Sequence, residues 1–197
     1  MPHYYSEEQK GLLTLEKINP RIRGMDLGFY TASGVFSKKK VDKGTSLLAN
    51  EMIIKSQDSI LDIGAGIGIL GITAAKLFPE SEVLMADINK RAAKLADMNI
   101  ELNKTPNAEA IRSDLYQKIK GKFDVILSNP PQNAGKKICF SIIEGAKKHL
   151  KKQGTLQLVA RHNKGGKELE KKMDEVFGNV KDIAKKGGYR VYLSISP

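Results

Sequence analysis

A short segment near the middle of the chain has residue types suited to group transfer. Asn129, Pro130 and Pro131 directly follow the apolar stretch "FDVILS". The Asn129 side-chain oxygen and the Pro130 carbonyl are two hydrogen-bond acceptors, and the prolines fix φ in the turn that presents them. Two such acceptors can bind both N–H groups of a planar amine or amide and orient its nitrogen for attack on an electrophile. The segment therefore predicts chemistry at a planar nitrogen.

A glycine-rich segment, "DIGAGIGILG", follows a short apolar run. Asp62 stands two residues before Gly64, which gives the pattern D-x-G-x-G-x-G. The same segment also satisfies G-x-G-x-x-G, the dinucleotide pattern, through Gly66, Gly68 and Gly71. In an open α/β sheet, the turn after a strand lies at the carboxyl edge, where ligands bind. Taken alone, the loop predicts a nucleotide-like cofactor without identifying it.

An acidic residue closes the next apolar run. Asp87 lies twenty-three residues after Gly64, where a carboxylate can accept hydrogen bonds from both hydroxyls of a ribose. This position would serve NAD or S-adenosylmethionine equally well. The acid therefore supports a cofactor that contains a ribose and leaves both cofactors open.

The elements that position these residues alternate along the chain. Four amphipathic stretches separate most of the short apolar runs, which indicates a doubly wound, mostly parallel α/β sheet of the Rossmann-like kind. Only "KKGG" joins the last two runs, so these are expected to form an antiparallel hairpin. Seven strands are predicted, at Ile60–Ile63, Val83–Ala86, Glu109–Arg112, Asp124–Ser128, Thr155–Ala160, Val180–Ala184 and Tyr189–Ile195.

The first fifty residues have a different texture. Residues 1–50 are predicted to be an extension or lid that packs on a single catalytic domain formed by residues 51–197. The stretch "MDLGFYTASGVFSKKK" alternates apolar with small or polar residues, which predicts a small hairpin or lid. The stretch "GTSLLANEMII" predicts a short helix with Thr45 or Ser46 as its N-cap.

Composition limits the class of protein and its partners. The chain has 197 residues, enough for one ordinary domain, and its 33 Lys and Arg against 22 Asp and Glu leave a net charge of +11. Such an excess favours a polyanion such as nucleic acid. A single cysteine, the lack of a bilayer-length apolar run and the lack of a signal-like N-terminus predict a cytoplasmic protein without a membrane partner. Three scattered histidines predict no metal site.

The motifs together resemble those of the class I S-adenosylmethionine-dependent methyltransferases. Asp62 with the glycine loop is similar to the first motif of that family, and Asn-Pro-Pro after the fourth strand is similar to its amino-group methylating members. The resemblance implies that Asn129, Pro130 and Pro131 are catalytic and that S-adenosylmethionine is the cofactor. It implies a cofactor site made of Gly44, Thr45, Asp62, Gly64, Ala65, Gly66, Gly68, Asp87, Ile88, Ser113, Asp114 and Asn129.

Further segments narrow the resemblance. The stretches "GVFSKKKVDKGTSLLAN", "VARHNKGGKELEKKMDEVFGNV" and "GGYRVYLSIS" are similar to the ribosomal small-subunit RNA guanine-N2 methyltransferases. Bacterial members carry two related halves, and this chain resembles the catalytic half; a single-domain archaeal branch is the closer match. The resemblance implies an RNA partner, either ribosomal RNA or a ribosomal subunit, and says nothing of oligomeric state.

One residue departs from the family pattern. Methyltransferases of this kind usually place an aromatic residue after the two prolines, where it stacks on the target base, and here Gln132 stands there. An aromatic from the N-terminal segment, Phe29, Tyr30 or Phe36, could replace it, although these residues could equally pack that segment onto the sheet. The predicted substrate-binding residues are Gln132, Phe29, Phe36, Lys38, Arg161 and His162.

The sequence thus predicts methyl transfer to an exocyclic amine of RNA, with guanine N2 of small-subunit ribosomal RNA as the target. Methylation of adenine N6 or of a protein glutamine uses the same acceptors and stays open. Two more distant alternatives are an NAD-dependent oxidoreductase, which would use the glycine loop, and an RNA-binding module without activity.

Overall fold

A computed structural model describes residues 14–35 and 40–197 of the chain. The strands in these ranges are β1 (Leu15–Ile18), β2 (Arg21–Ile22), β3 (Met25–Asp26), β4 (Phe29–Ala32), β5 (Ser59–Ile63), β6 (Glu82–Asp87), β7 (Ala108–Arg112), β8 (Phe123–Ser128), β9 (Leu150–Arg161), β10 (Lys181–Lys186) and β11 (Tyr189–Ile195). The helices are α1 (Lys43–Glu51), α2 (Ile69–Leu77), α3 (Lys90–Asn103), α4 (Lys136–His149) and α5 (Lys167–Phe177).

Seven strands form one sheet in the order β10-β11-β9-β8-β5-β6-β7. Strands β5 to β9 are parallel to one another, whereas β11 is antiparallel to both β9 and β10. Gly187 and Gly188 connect β10 to β11 with φ values of 57° and 79°, which a two-residue hairpin turn requires. The predicted doubly wound sheet with a C-terminal antiparallel hairpin is confirmed.

Helices cover both faces of the sheet. Helices α1, α2 and α3 pack on one face, and α4 and α5 pack on the other. Strand β5 is buried on both faces: Ile60 packs in the core beside α1, α2 and α3, and the next residue, Leu61, packs in the core beside α4 and α5. Within the described ranges, no helix is both long and apolar enough to cross a bilayer.

The N-terminal strands pack against helix α3. Strand β4 pairs with β1, and β2 pairs with β3, so the partner of β4 lies upstream of the segment in which a hairpin was predicted. The Asn99 side chain bonds both the N–H and the C=O of Tyr30, at 2.6 and 3.1 Å. Asn103 does the same for Gly28, at 3.1 and 2.7 Å. Two asparagines thus act as a strand partner for β4 and fix it to helix α3.

Helix α1 begins one turn earlier than its local sequence suggested. Asp42 is the N-cap, and its carboxylate accepts the Thr45 N–H at 3.0 Å. The prediction of Thr45 or Ser46 as N-cap is therefore wrong, because all three residue types cap well and only tertiary contacts select among them. The domain boundary predicted between residues 50 and 51 stays a prediction.

The strand order places the two motifs side by side. From β5 the chain moves outward through β6 to β7, then returns to place β8 on the other side of β5. This reversal is the topological switch point of the sheet, where a crevice opens at the carboxyl ends of the strands. The glycine loop follows β5 and the Asn-Pro-Pro turn follows β8, so both face the same crevice.

Candidate active site at the carboxyl edge of the sheet

A cavity of about 510 Å³ occupies this crevice, within the usual range of small-molecule sites. Loops after β5, β6, β7, β8 and β9 line it, together with the start of α1 and of β11. It brings together most of the residues predicted from the sequence: Thr45, Asp62, Gly64, Ala65, Gly66, Asp87, Ile88, Ser113, Asp114, Asn129, Pro130, Pro131, Gln132 and Arg161.

The Asp62 carboxylate is buried in the cavity wall with one oxygen unsatisfied. Its Oδ2 accepts the Gly71 N–H at 3.0 Å, whereas Oδ1 has no hydrogen-bond partner in the described part of the chain. Burial, helped by the nearby charge of Asp87, raises the pKa of Asp62 to about 7 against the opposing bond from Gly71. An unsatisfied buried acceptor is costly, so a ligand that brings an N–H donor to this oxygen would be stabilised.

The end of β6 holds the glycine loop in place. The Asp87 carboxylate accepts the Gly66 N–H at 2.8 Å through Oδ2 and the Asn89 N–H at 2.8 Å through Oδ1. The N–H groups of Gly64 and Ala65 both donate to the Ala86 carbonyl, at 2.8 and 3.1 Å. Asp87 lines the cavity, where carboxylate oxygens can accept hydrogen bonds from hydroxyl groups of a ligand.

A tight turn after β7 forms a further part of the wall. The Ser113 hydroxyl donates to the Leu115 carbonyl at 2.8 Å and accepts the Lys118 N–H at 3.1 Å. Ser113 therefore holds the turn, and the exposed Asp114 side chain, which accepts a bond from Gln117 at 3.1 Å, lies at the cavity edge. Of the pair, Asp114 is the one able to accept from a ligand.

The Asn129 amide has a defined orientation. Its Nδ2 donates to Asp42 Oδ2 at 2.9 Å and to Thr45 Oγ1 at 2.8 Å. A carboxylate such as Asp42 only accepts, so the amide nitrogen must face it and the amide oxygen must point the other way. Asn129 lines the cavity, and Oδ1 is the atom of its amide that can accept a hydrogen bond from a ligand.

The two prolines form a turn with its own internal hydrogen bond. The Gln132 N–H donates to the Pro130 carbonyl at 2.8 Å, across Pro131 with φ −75° and ψ 76°, the geometry of an inverse γ-turn. A carbonyl has two lone pairs, so Pro130 keeps one for a second donor. The Ser128 hydroxyl donates to the Ile63 carbonyl at 2.9 Å and fastens this turn to the strand that carries the glycine loop.

Gln132 braces the turn against the loop after β9. Its Oε1 accepts the Arg161 N–H at 2.8 Å, and its Nε2 donates to the Lys164 carbonyl at 3.0 Å. Both bonds are to the backbone, and a fixed donor and a fixed acceptor determine which end of the amide is which. Gln132 therefore lines the cavity as a structural link between β8 and β9.

Two predicted substrate residues take other places. Phe29, the first residue of β4, is fully buried in the core and absent from the cavity lining, so the structure does not bring it to the site as a base-stacking residue. His162 also lies outside the lining, and its Nδ1 is hydrogen-bonded to the buried Tyr192 hydroxyl at 2.7 Å, which gives it a packing role. The other two, Phe36 and Lys38, lie outside the described residues.

Two predicted cofactor residues lie behind the cavity wall. Gly68 is buried at the N-terminus of α2, and Gly44 is buried against the Tyr189 ring. A Cβ on Gly44 would come within 2.9 Å of Tyr189 Cε1 and 3.0 Å of Asp42 Oδ2. Both glycines therefore shape the wall through close packing, and the structure places neither in the lining.

Sequence reasoning missed several residues of the site, among them Asp42 and Tyr189. Asp42 holds the Asn129 amide, and an acid just before a helix-forming stretch was a usable sign that it would cap α1. Tyr189 lines the cavity at the start of β11, with the Arg161 guanidinium carbon 5.5 Å from its ring centroid. No local signal marked Tyr189, which in the sequence is one aromatic in an alternating strand.

Known proteins share this sequence over most of its length. The family model described as methyltransferase small domain matches residues 26–193. The protein YbxB of Bacillus subtilis (strain 168), described as uncharacterized, is 36% identical over 192 residues, 96% of each chain. Ribosomal RNA small subunit methyltransferase C of Haemophilus influenzae (strain 86-028NP) is 33% identical over 171 residues, which cover 85% of this chain and 51% of that relative.

A solved structure shares the fold. The T. thermophilus 16S rRNA N2 G1207 methyltransferase (RsmC), in complex with AdoMet and guanosine, superimposes with a TM-score of 0.82 at 25% identity. The match covers 93% of this chain and 51% of the T. thermophilus chain. This chain therefore spans about half the length of both the T. thermophilus and the Haemophilus influenzae enzymes.

The cavity fits the cofactor of this family. S-adenosylmethionine carries an ammonium group, two ribose hydroxyls and an adenine amine, and the wall offers the unpaired Asp62 oxygen together with Asp87 and Asp114 as acceptors. The cofactor is therefore S-adenosylmethionine, which replaces the NAD reading of the glycine loop. With its family model, its relatives and its seven-stranded sheet in agreement, the chain belongs to the methyltransferase small domain family of class I S-adenosylmethionine-dependent methyltransferases, of the RsmC type.

Proposed function

We propose that this methyltransferase acts on the exocyclic amino group of a base in RNA, and that its target is guanine N2 in small-subunit ribosomal RNA. The observation that carries the proposal is the fixed orientation of Asn129. Its amide nitrogen is held by Asp42 and Thr45, so its oxygen is presented to the cavity as an acceptor for an amine.

The Asn-Pro-Pro turn would orient the nucleophile. Asn129 Oδ1 and the remaining lone pair of the Pro130 carbonyl would each accept one N–H of the amine, which favours the tetrahedral geometry that develops during attack. S-adenosylmethionine, when bound, would supply an electrophilic methyl group attached to a sulfonium. The rest of the molecule would leave as a neutral thioether. The amine held by Asn129 and Pro130 would take up that methyl group as the S–C bond breaks and would then release its proton to water, so no strong base is needed beforehand.

The opposite wall would hold the cofactor. We assign Asp62 to its ammonium group, the loop Gly64–Gly66 to its close backbone contact, and Asp87 with Ile88 to its ribose and adenine. Asp114 would accept from the adenine amine, while Ser113 holds the turn that carries it. Residues 51–197 would form the catalytic domain, and residues 1–50 would pack on it as an extension.

Two features support RNA as the substrate. Several relatives are named ribosomal RNA small subunit methyltransferase C, and the solved neighbour acts on N2 of a 16S rRNA guanine. The chain carries a net charge of +11, and two basic residues, Arg161 and Lys164, lie at the cavity edge where a phosphate backbone would pass.

Transfer of a labelled methyl group tests the proposal. The purified protein is given labelled S-adenosylmethionine with ribosomal RNA, intact small subunits, DNA or a protein extract, each from cells that lack the gene. We expect label in ribosomal RNA or small subunits, and digestion followed by mass spectrometry should identify N2-methylguanosine. Asn129→Ala serves as the matched control, because it removes the proposed acceptor and leaves the cofactor wall intact.

The alternatives give different products in the same assay. The two acceptors would also fit adenine N6 or a glutamine amide, so N6-methyladenosine or methylglutamine would identify one of those reactions. Label in protein or DNA with none in RNA would contradict the proposal. RNA binding with steep salt dependence and no label in any pool would indicate a binding module without activity.

A further inference from the structure

We propose that Tyr189, paired with Arg161, forms the stacking surface for the target base, in place of the aromatic residue that usually follows the two prolines. This inference rests on the proposed function, because it assumes that the substrate is a nucleobase extruded from RNA. The ligand class at this surface is therefore a flipped base with an exposed π face.

Gln132 cannot provide that surface. Both ends of its amide are bonded to the loop after β9, to the Arg161 N–H at 2.8 Å and the Lys164 carbonyl at 3.0 Å. Turning the side chain toward a base would break both bonds, and an amide has no ring to stack on. The position that usually carries the aromatic is thus occupied by a brace.

Tyr189 is the only aromatic residue among the described residues that line the cavity. It begins β11 directly opposite Arg161, the last residue of β9, and the Arg161 guanidinium carbon lies 5.5 Å from its ring centroid. Gln132 holds the backbone of Arg161, so the stacking aromatic usual at position 132 would be replaced by a pair carried on the next two strands, β9 and β11. Bases stack on aromatic rings and on arginine guanidinium planes alike.

The ring also lies beside the residue that orients the nucleophile. Gly44 allows the Tyr189 ring to approach α1, where a Cβ on Gly44 would touch both the ring and Asp42 Oδ2. Asp42 in turn holds the Asn129 amide at 2.9 Å. Burial and the negative charge of Asp42 both raise the pKa of Tyr189, so the ring stays neutral at physiological pH. A base seated on this surface would therefore have its amine within reach of Asn129.

Substitutions that keep or remove the ring test the inference. We expect Tyr189→Ile to raise the KM for ribosomal RNA about 5- to 100-fold, in line with the loss of one stacked base. Tyr189→Phe keeps the ring and should stay within about threefold of the unchanged protein. The dissociation constant for S-adenosylmethionine should change less than twofold in both variants, since the cofactor wall is untouched.

Each outcome separates this inference from the proposed function. Isoleucine is compatible with the strand at position 189. The melting temperature and cofactor binding of Tyr189→Ile verify that it folds. If this variant is unstable, Tyr189→Leu replaces it. If the unchanged protein labels RNA and Tyr189→Ile does so with the same KM, the stacking role is wrong while the proposed function stands. An equal loss in Tyr189→Phe and Tyr189→Ile would assign the effect to the hydroxyl and overturn the inference. No transfer to RNA by the unchanged protein would overturn both.

Discussion

The two walls of the cavity are built in different ways. The cofactor wall consists of turns that directly follow β5, β6 and β7, and its internal bonds join residues that are close in the chain or on neighbouring strands, such as Gly66 with Asp87 at 2.8 Å. The opposite wall depends on residues far apart: Asn129 is held by Asp42 and Thr45, which precede it by 87 and 84 residues. The first wall can be recognised as a motif, whereas the second exists only in the folded chain.

This difference has a functional consequence. On the cofactor wall, a single side chain supplies one contact to a bound molecule and its loss should weaken binding. On the target wall, Asn129 would act through its orientation, which its bonds to Asp42 and Thr45 set. We therefore expect changes on the target wall to act on kcat and those on the cofactor wall to act on affinity.

The largest effect should follow from loss of the Asn129 acceptor. Asn129→Ala removes the oxygen that binds the amine and should lower kcat about 100- to 1,000-fold, as when a preorganised hydrogen-bonding group is removed from other active sites. Affinity for S-adenosylmethionine should stay within a few-fold. Single-turnover methyl transfer, with cofactor binding measured by calorimetry, separates the two quantities.

The matched control for this variant is Asn163→Ala. Asn163 is exposed and lies outside the cavity lining, so its loss should change neither quantity. Near-normal transfer by Asn129→Ala would show that the target wall does not work as described.

A smaller loss should follow when Asn129 is kept and its support is removed. Asp42→Ser retains an N-cap for α1, but the serine side chain is too short to reach the Asn129 amide. The amide should lose its fixed orientation, so kcat should fall roughly 10- to 30-fold. Asp42→Asn keeps an acceptor oxygen at the right distance and should recover most of the rate. Steady-state kinetics on RNA, with melting temperature as the check on folding, measure the effect.

Asp26→Ser is the matched control, because Asp26 is an exposed acid of the N-terminal strands. If Asp42→Ser loses stability and rate together, or if Asp42→Asn is no better than Asp42→Ser, the positioning role is wrong.

How much of the molecule the sequence revealed follows the same division. Local periodicity predicts the seven strands and the closing hairpin, because strand and helix patterns are properties of short segments. The residues Asp62 and Asp87 were found because they follow strand ends in a fixed pattern. The sequence did not reveal the place of Phe29, because an aromatic side chain can pack in a core or stack on a base. Its burial depends on tertiary contacts, the bonds from Asn99 and Asn103 that fix β4 on α3. Likewise Asp42 and Tyr189 meet at the site only after the sheet has formed.

The cofactor wall should respond to pH through Asp62. Burial raises the pKa of this carboxyl from 3.8 to about 7, and the cofactor ammonium prefers its ionised form. Affinity for S-adenosylmethionine should therefore rise about tenfold from pH 6 to pH 8, as ionisation goes nearly to completion. Titration calorimetry at both pH values measures this, and the pH dependence should disappear in Asp62→Asn, which binds weakly at both.

The same pKa shift has an opposite effect on the protein without cofactor. Between pH 4 and 7 the folded state binds more protons at Asp62 than the unfolded state, so this group lowers the free energy of unfolding as pH rises through that window. Asp62→Asn removes this contribution, and denaturant unfolding at pH 5 and pH 7.5 reveals it. In the cofactor-binding experiment, an affinity of the unchanged protein for S-adenosylmethionine that does not vary with pH would contradict the pairing between Asp62 and the cofactor ammonium.

The smallest effect on activity should come from a change at Gly44, which packs against both Asp42 and Tyr189. Gly44→Ala places a Cβ within 2.9 Å of the Tyr189 ring and 3.0 Å of Asp42 Oδ2, so one or both must move. Because the ring stays present and only shifts, the KM for RNA should rise about three- to fivefold, less than when the ring is removed. Overpacking should lower the melting temperature by about 2–4 °C.

Lys43→Ala, an exposed change on the same helical turn, is the control. A selective loss of cofactor affinity in Gly44→Ala would instead place this glycine on the cofactor wall, and the division between the two walls would have to be redrawn there.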